Sequence, residues 1–76
     1  MIELVEYIVK SLVIDEDSVK VTQTEDEGAT IIHVFVAPDD MGRVIGRAGK
    51  IASSIRAIVN SVSSRQHKKV VVKFGE

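Results

Sequence analysis

Two β-branched runs, Thr30-Ile31-Ile32-His33-Val34-Phe35-Val36 and Lys69-Val70-Val71-Val72-Lys73-Phe74, stand about thirty residues apart, and the apolar side chains between them recur at helical spacing. This separation narrows the fold more than any other feature of the chain. A hairpin turn cannot join strands across intervening helix, so the two runs lie parallel through a right-handed crossover. Pro38 cannot donate to a ladder and ends the first run. Asp39 or Asp40 is placed to cap a short helix from about Asp40 to Ile45. After a glycine-containing loop, Ile51, Ile55, Ile58, Val59 and Val62 mark a longer helix through about residue 63, and Ser63-Ser64-Arg65-Gln66 is a polar break before the last strand.

The N-terminal part supplies one more helix and one more strand. Leu4, Val5, Ile8, Val9 and Leu12 fall on one helical face, which predicts an amphipathic helix over residues 2–13. Asp15-Glu16-Asp17-Ser18 breaks it, and Val19-Lys20-Val21-Thr22-Gln23 alternates with the period of a half-buried strand. Glu25-Asp26-Glu27-Gly28 reads as a polar turn into the Thr30 run, so these two strands form an antiparallel hairpin. The order α-β-β-α-α-β predicts an α+β fold, a three-stranded mixed sheet with three helices on one face. The 76 residues suffice for one domain, 1–76, whose 45% apolar content supplies a real core. With no cysteine and only His33 and His67 as imidazoles, neither a disulfide nor a metal site is expected.

Net charge is only −1, but its distribution is lopsided. Residues 1–40 carry ten carboxylates against Lys10 and Lys20, whereas residues 41–76 carry Arg43, Arg47, Lys50, Arg56, Arg65, Lys68, Lys69 and Lys73 against Glu76 alone. A fold that keeps these halves apart has a basic side that attracts polyanions. The acidic, amphipathic start is unlike an export signal, and no apolar run approaches the roughly 20 residues of a membrane span, so a cytoplasmic protein without a membrane partner is expected.

The chemistry points to Gly42-Arg43-Val44-Ile45-Gly46-Arg47-Ala48-Gly49-Lys50, between the two later helices. Glycines three apart let the backbone turn sharply and approach a ligand closely, and the first amides of the following helix favour an anion. Arg43, Arg47 and Lys50 bring cations to the same place. A Walker loop is excluded, because Ile51 follows Lys50 where Ser or Thr must hold magnesium, and Val44 stands where its first glycine belongs. The dinucleotide pattern G-x-G-x-x-G fails at Val44 too, and the loop follows a helix rather than a strand. No cofactor is implied.

This stretch resembles the I-G-x-x-G core of KH domains, and the element order resembles their type II, prokaryotic arrangement. The likeness covers essentially the whole chain and is strongest to the small bacterial stand-alone KH proteins of the KhpA family. That resemblance implies binding of single-stranded RNA with little sequence stringency, a role as RNA chaperone or post-transcriptional regulator, and pairing as a homodimer or with a larger KH partner of the KhpB (Jag) family. It places Gly46 and Gly49 as the invariant pair, Arg47 and Ala48 as the pair facing the sugar-phosphate backbone, and Ile45 at the base groove. KH domains usually carry isoleucine three residues after the second glycine; here that position is Ala52, which implies a smaller groove floor.

The expected RNA-binding set is therefore Gly42, Arg43, Ile45, Gly46, Arg47, Ala48, Gly49, Lys50 and Arg56. Each has a plainer reading. The glycines could merely make a tight turn, Arg56 could be an ordinary exposed residue, and Lys68 and Lys69 could simply solubilise a strand. His33 reads as a packing residue and His67 as a loop residue, since no nucleophile, carboxylate pair or metal spacing accompanies them; no catalytic residue is expected. Tyr7, Phe35 and Phe74 are too few and too dispersed for the aromatic platforms of other RNA binders. The competing function is a protein-interaction module for dimerisation or scaffolding, with RNA contact incidental; Phe35 or Ile31 on the outer sheet face and the stripe Ser53, Ser54, Ala57, Ser61 are its candidate surfaces.

Overall fold

The structure is a computed structural model that describes residues 1–75. Helix α1 spans Ile2–Leu12, strands β1 and β2 span Lys20–Asp26 and Ala29–Phe35, helices α2 and α3 span Met41–Ile45 and Lys50–Arg65, and strand β3 spans Val70–Phe74. The order is the α-β-β-α-α-β of the sequence pattern. The sheet runs β1-β2-β3, with β1 antiparallel to β2 and β2 parallel to β3 in the register Thr30↔Val70 to Val34↔Phe74.

Alternation along β2 sorts the sheet faces. Ile32 and Val34 are buried with Val70 and Val72 of β3 beneath the helices, where they meet Val5 and Val9 of α1, Val44 of α2, and Ile55 and Val59 of α3. Ile31, His33 and Phe35 turn to the other, half-exposed face, and the His33 ring stacks on Phe35 at 4.6 Å between centroids, the packing role expected of it.

Three boundaries differ from the sequence reading. The hairpin turn is Glu27-Gly28 alone, both at positive φ (50° and 82°), so β1 continues through Glu25 and Asp26. Two central residues at positive φ match the twist of the flanking strands, which a longer polar turn would not. Helix α3 passes through the expected break at Ser63: its hydroxyl donates to the Asn60 carbonyl at 3.2 Å, which satisfies the buried side chain inside the helix. The helix ends instead in a Schellman turn, with Lys68 N–H on the Ser63 carbonyl at 3.0 Å, His67 N–H on the Ser64 carbonyl at 3.1 Å, and His67 itself at φ 56°.

The third difference concerns Asp40. A turn of 3-10 helix over Pro38–Asp40 leads into α2, so the Asp40 backbone is already helical (φ −96°, ψ −7°) and its side chain makes no cap hydrogen bond. The carboxylate, 2% exposed, instead accepts the amides of Ile14 at 3.1 Å and Asp15 at 3.0 Å and ties α2 to the segment leaving α1.

Candidate nucleic-acid interface

Helix α2 closes with the Gly46 amide on the Gly42 carbonyl at 2.9 Å, and the chain turns through residues 46–49 before α3 begins at Lys50. Three of those four residues sit at positive φ: Gly46 at 77°, Ala48 at 56° and Gly49 at 73°. Gly46 is the tightest. A Cβ built on it would lie 2.6 Å from Ile51 Cγ1 and 2.9 Å from the Ile51 backbone nitrogen. At Gly49 a Cβ would meet nothing within 4 Å, so only its left-handed backbone asks for glycine. Ala48 holds a left-handed conformation without that freedom, a local cost of the kind that concentrates at ligand-binding loops.

Arg47, Ala48 and Lys50 are exposed around this turn, and the charged groups of Arg47 and Lys50 have no partner among the described residues. Among the described residues no side chain caps the start of α3; the Lys50 amide donates to the Arg47 carbonyl and the Gly49 amide to the Gly46 carbonyl at 3.1 Å, which closes the turn on itself. A tight left-handed turn with little side-chain bulk and two exposed cations lie side by side, which suits a phosphate group.

The remaining expected site residues divide. Gly42 lies exposed on α2, and Ile45 is half-buried against the core. Arg43 is partly committed to the fold: its Nη1 donates to the Asp39 carbonyl at 3.0 Å and to Asp40 Oδ1 at 3.3 Å. The two backbone amides on Asp40, that of Asp15 foremost, hold its carboxyl below the usual carboxylate range, with help from Arg43 and against the opposing effect of burial. Arg56 stands apart from the loop, where its Nε donates to the Val72 carbonyl at 3.1 Å and its guanidinium lies over Phe74. Between α3 and β3 runs a groove of about 150 Å³ lined by Arg56, Asn60 and Val70–Val72. Ala52 is buried at 2% exposure and so is not an open groove floor; Ile51 is the side chain that closes beneath Gly46.

Charge separation holds only in part. Lys68 and Lys69 border a cleft of about 300 Å³ together with Glu25 of the acidic hairpin, at the opposite end of α3 from the glycine loop. Sequence reasoning missed Asp40 as the residue that restrains Arg43, although an Asp before a short helix with Arg three residues on was a signal for it.

Residues 2–74 match the family described as KhpA/KhpB, KH domain. This chain belongs to the KhpA/KhpB family of KH domains. Among its relatives, the RNA-binding protein KhpA of Clostridium perfringens is 45% identical over 97% of this chain and 99% of its own length. The proteins of the same name from Borreliella burgdorferi and Listeria monocytogenes are 44% and 41% identical, over 96% and 100% of this chain and 89% and 100% of their own. No solved structure matches the chain. In this KhpA/KhpB domain the I-G-x-x-G motif is Ile45 to Gly49, and the mixed sheet, with three helices on one face, is the type II arrangement that the element order resembled.

Proposed function

We propose that the chain binds single-stranded RNA without catalysing a reaction, as a single domain over residues 1–76. The loop holds the sugar-phosphate backbone of about four nucleotides and the groove between α3 and β3 receives bases. The observation that carries this reading is the loop itself, with three positive-φ residues in a row of four and the exposed Arg47 and Lys50, whose charged groups have no partner among the described residues. The relatives' name, RNA-binding protein, supports it. Backbone contact without an aromatic platform favours low sequence stringency. The same reading extends to a cytoplasmic RNA chaperone or regulator acting as a homodimer or with a KH partner of the KhpB family; the paired family name supports only the last. Two linked grooves raise the weak affinity of one by effective concentration.

The test is the double variant Arg47→Asp, Ala48→Asp. Aspartate tolerates the left-handed conformation of residue 48, so the fold is expected to persist by circular dichroism while retention of short single-stranded RNA is lost. Wild-type affinity should fall steeply as salt rises. Undiminished RNA binding by the folded double variant would overturn the proposal.

A further inference from the structure

The chain lacks an aromatic platform for bases, yet the structure builds a planar cationic surface beside the groove. The Arg56 guanidinium lies with Cζ 5.3 Å from the Phe74 ring centroid, and its Nε donates to the Val72 carbonyl at 3.1 Å. The pairing of β2 with β3 explains why that carbonyl is available. Thr30 N–H bonds the Lys69 carbonyl and Gly75 N–H bonds the Val34 carbonyl. In a parallel ladder alternate residues face the neighbour, so residues 69, 71, 73 and 75 serve β2, and the amides and carbonyls of Val70, Val72 and Phe74 point to the open edge. Arg56 reaches across from α3 to that edge.

Two constraints thus fix the side chain before any ligand arrives: a hydrogen bond sets the guanidinium in place and an aromatic ring backs one of its faces. Arg56 is exposed, so the opposite face meets solvent at the groove lined by Asn60 and Val70–Val72. A guanidinium is weakly hydrated and stacks readily on π-systems. Arg56 lies six residues beyond Lys50, about 9 Å along the helix axis. At the roughly 3.4 Å spacing of stacked nucleotides, that places it two or three nucleotides from a phosphate on the glycine loop.

We infer that Arg56, backed by Phe74 and pinned by Val72, is a base-stacking residue of the RNA site and favours a purine two or three nucleotides from the loop-bound phosphate. The inference rests on the RNA-binding reading above and adds a base preference to it. Purines present the larger stacking surface, and modest preferences of this kind come from stacking strength rather than hydrogen-bonded readout.

Arg56→Lys separates the plane from the charge. With short A-rich and U-rich oligonucleotides across a salt series, the wild type should favour the A-rich strand. Arg56→Lys should weaken A-rich binding about five- to a hundred-and-fiftyfold, the range a stacked base contributes, with its salt dependence kept because the charge is kept. Wild-type affinity and preference in Arg56→Lys would overturn the inference by making Arg56 a point charge. If Arg56→Lys melts out of the fold, the wild type still decides by NMR. Its Arg56 Nε–H resonance should move upfield under the ring current of an added A-rich strand, and a stationary signal at RNA saturation would overturn the stacking role. Loss of RNA binding by the wild type itself would defeat the functional reading and this one together, whereas intact wild-type binding with either negative result defeats this one alone.

Discussion

Replacing each glycine of the α2-loop-α3 unit with alanine in turn should produce three different outcomes, and the largest falls on Gly46. Its backbone, φ 77° and ψ 173°, lies in a region that essentially only glycine occupies, which costs another residue about 1–3 kcal/mol. Its Cβ would also press to 2.9 Å from the Ile51 backbone nitrogen, which a side-chain rotation cannot relieve, and overpacking of this kind adds about 1–3 kcal/mol. Together the loss is about 2–6 kcal/mol, against roughly 4–11 kcal/mol of total stability for a chain of this size. The melting temperature should fall by about 10–40 °C. Gly49→Ala meets no atom and carries only the left-handed penalty, about 1 kcal/mol. Gly42→Ala, exposed within α2 and free of any close contact, should stabilise by about 0.5–1 kcal/mol. Thermal melts and urea titrations followed by circular dichroism measure all three. If Gly46→Ala proved as mild as Gly49→Ala, the loop would not be held against Ile51 as described, and the geometry of the phosphate cradle would be wrong with it.

Other substitutions test the supports of the site. The Asp40 carboxyl titrates below its ordinary value, so the stability it contributes is full above about pH 4, where the unfolded carboxyl is ionised, and is lost as pH falls through the lower folded value. Asp40→Asn should lower stability at neutral pH and flatten the acid limb of a urea-midpoint profile against pH; an unchanged acid limb would refute the clamp. His67 spends strain at the left-handed end of α3, so His67→Gly should raise stability by about 0.5–1 kcal/mol, the left-handed penalty less glycine's added freedom when unfolded, as read by a urea titration. Ile32→Val, at the fully buried centre of β2, should cost about 0.5–1.5 kcal/mol by the same measurement. Lys10→Ala removes an exposed pair with Glu6 at 3.2 Å and should change stability by less than about 0.5 kcal/mol.

The sequence was legible where one force dominated. Hydrophobic period fixed the elements and their order, because every apolar stripe had a single face to bury: Val5 and Val9 under α1, Ile55 and Val59 under α3. It also placed the glycine loop between helices, since no other reading accommodates Gly46 and Gly49 there. What it did not reveal were contacts decided by three-dimensional return of the chain. Asp40 looked like a local cap, and only the folded path brings Ile14 and Asp15, 25 or more residues earlier, within hydrogen-bond reach. Arg56 was in the expected RNA-binding set, but its anchoring stayed hidden for the same reason: its partners Val72 and Phe74 arrive on the last strand. Ser63 misled in the opposite way, since a serine that reads as a break is satisfied inside the helix by the Asn60 carbonyl.

The open edge of β3 has a consequence for the protein in a crowded solution. The apolar run Val70-Val71-Val72, with the backbone groups of Val70 and Val72 turned to the edge, is the composition from which intermolecular β-pairing nucleates. Lys69 and Lys73 bracket it, and the Arg56 hydrogen bond occupies the Val72 carbonyl that an incoming strand would need. A copy of the chain that tried to extend the sheet there would have to break that bond and bring like charges together. The same arginine therefore acts as a gatekeeper, keeping a groove that must stay open to a ligand from being sealed by the protein's own neighbours.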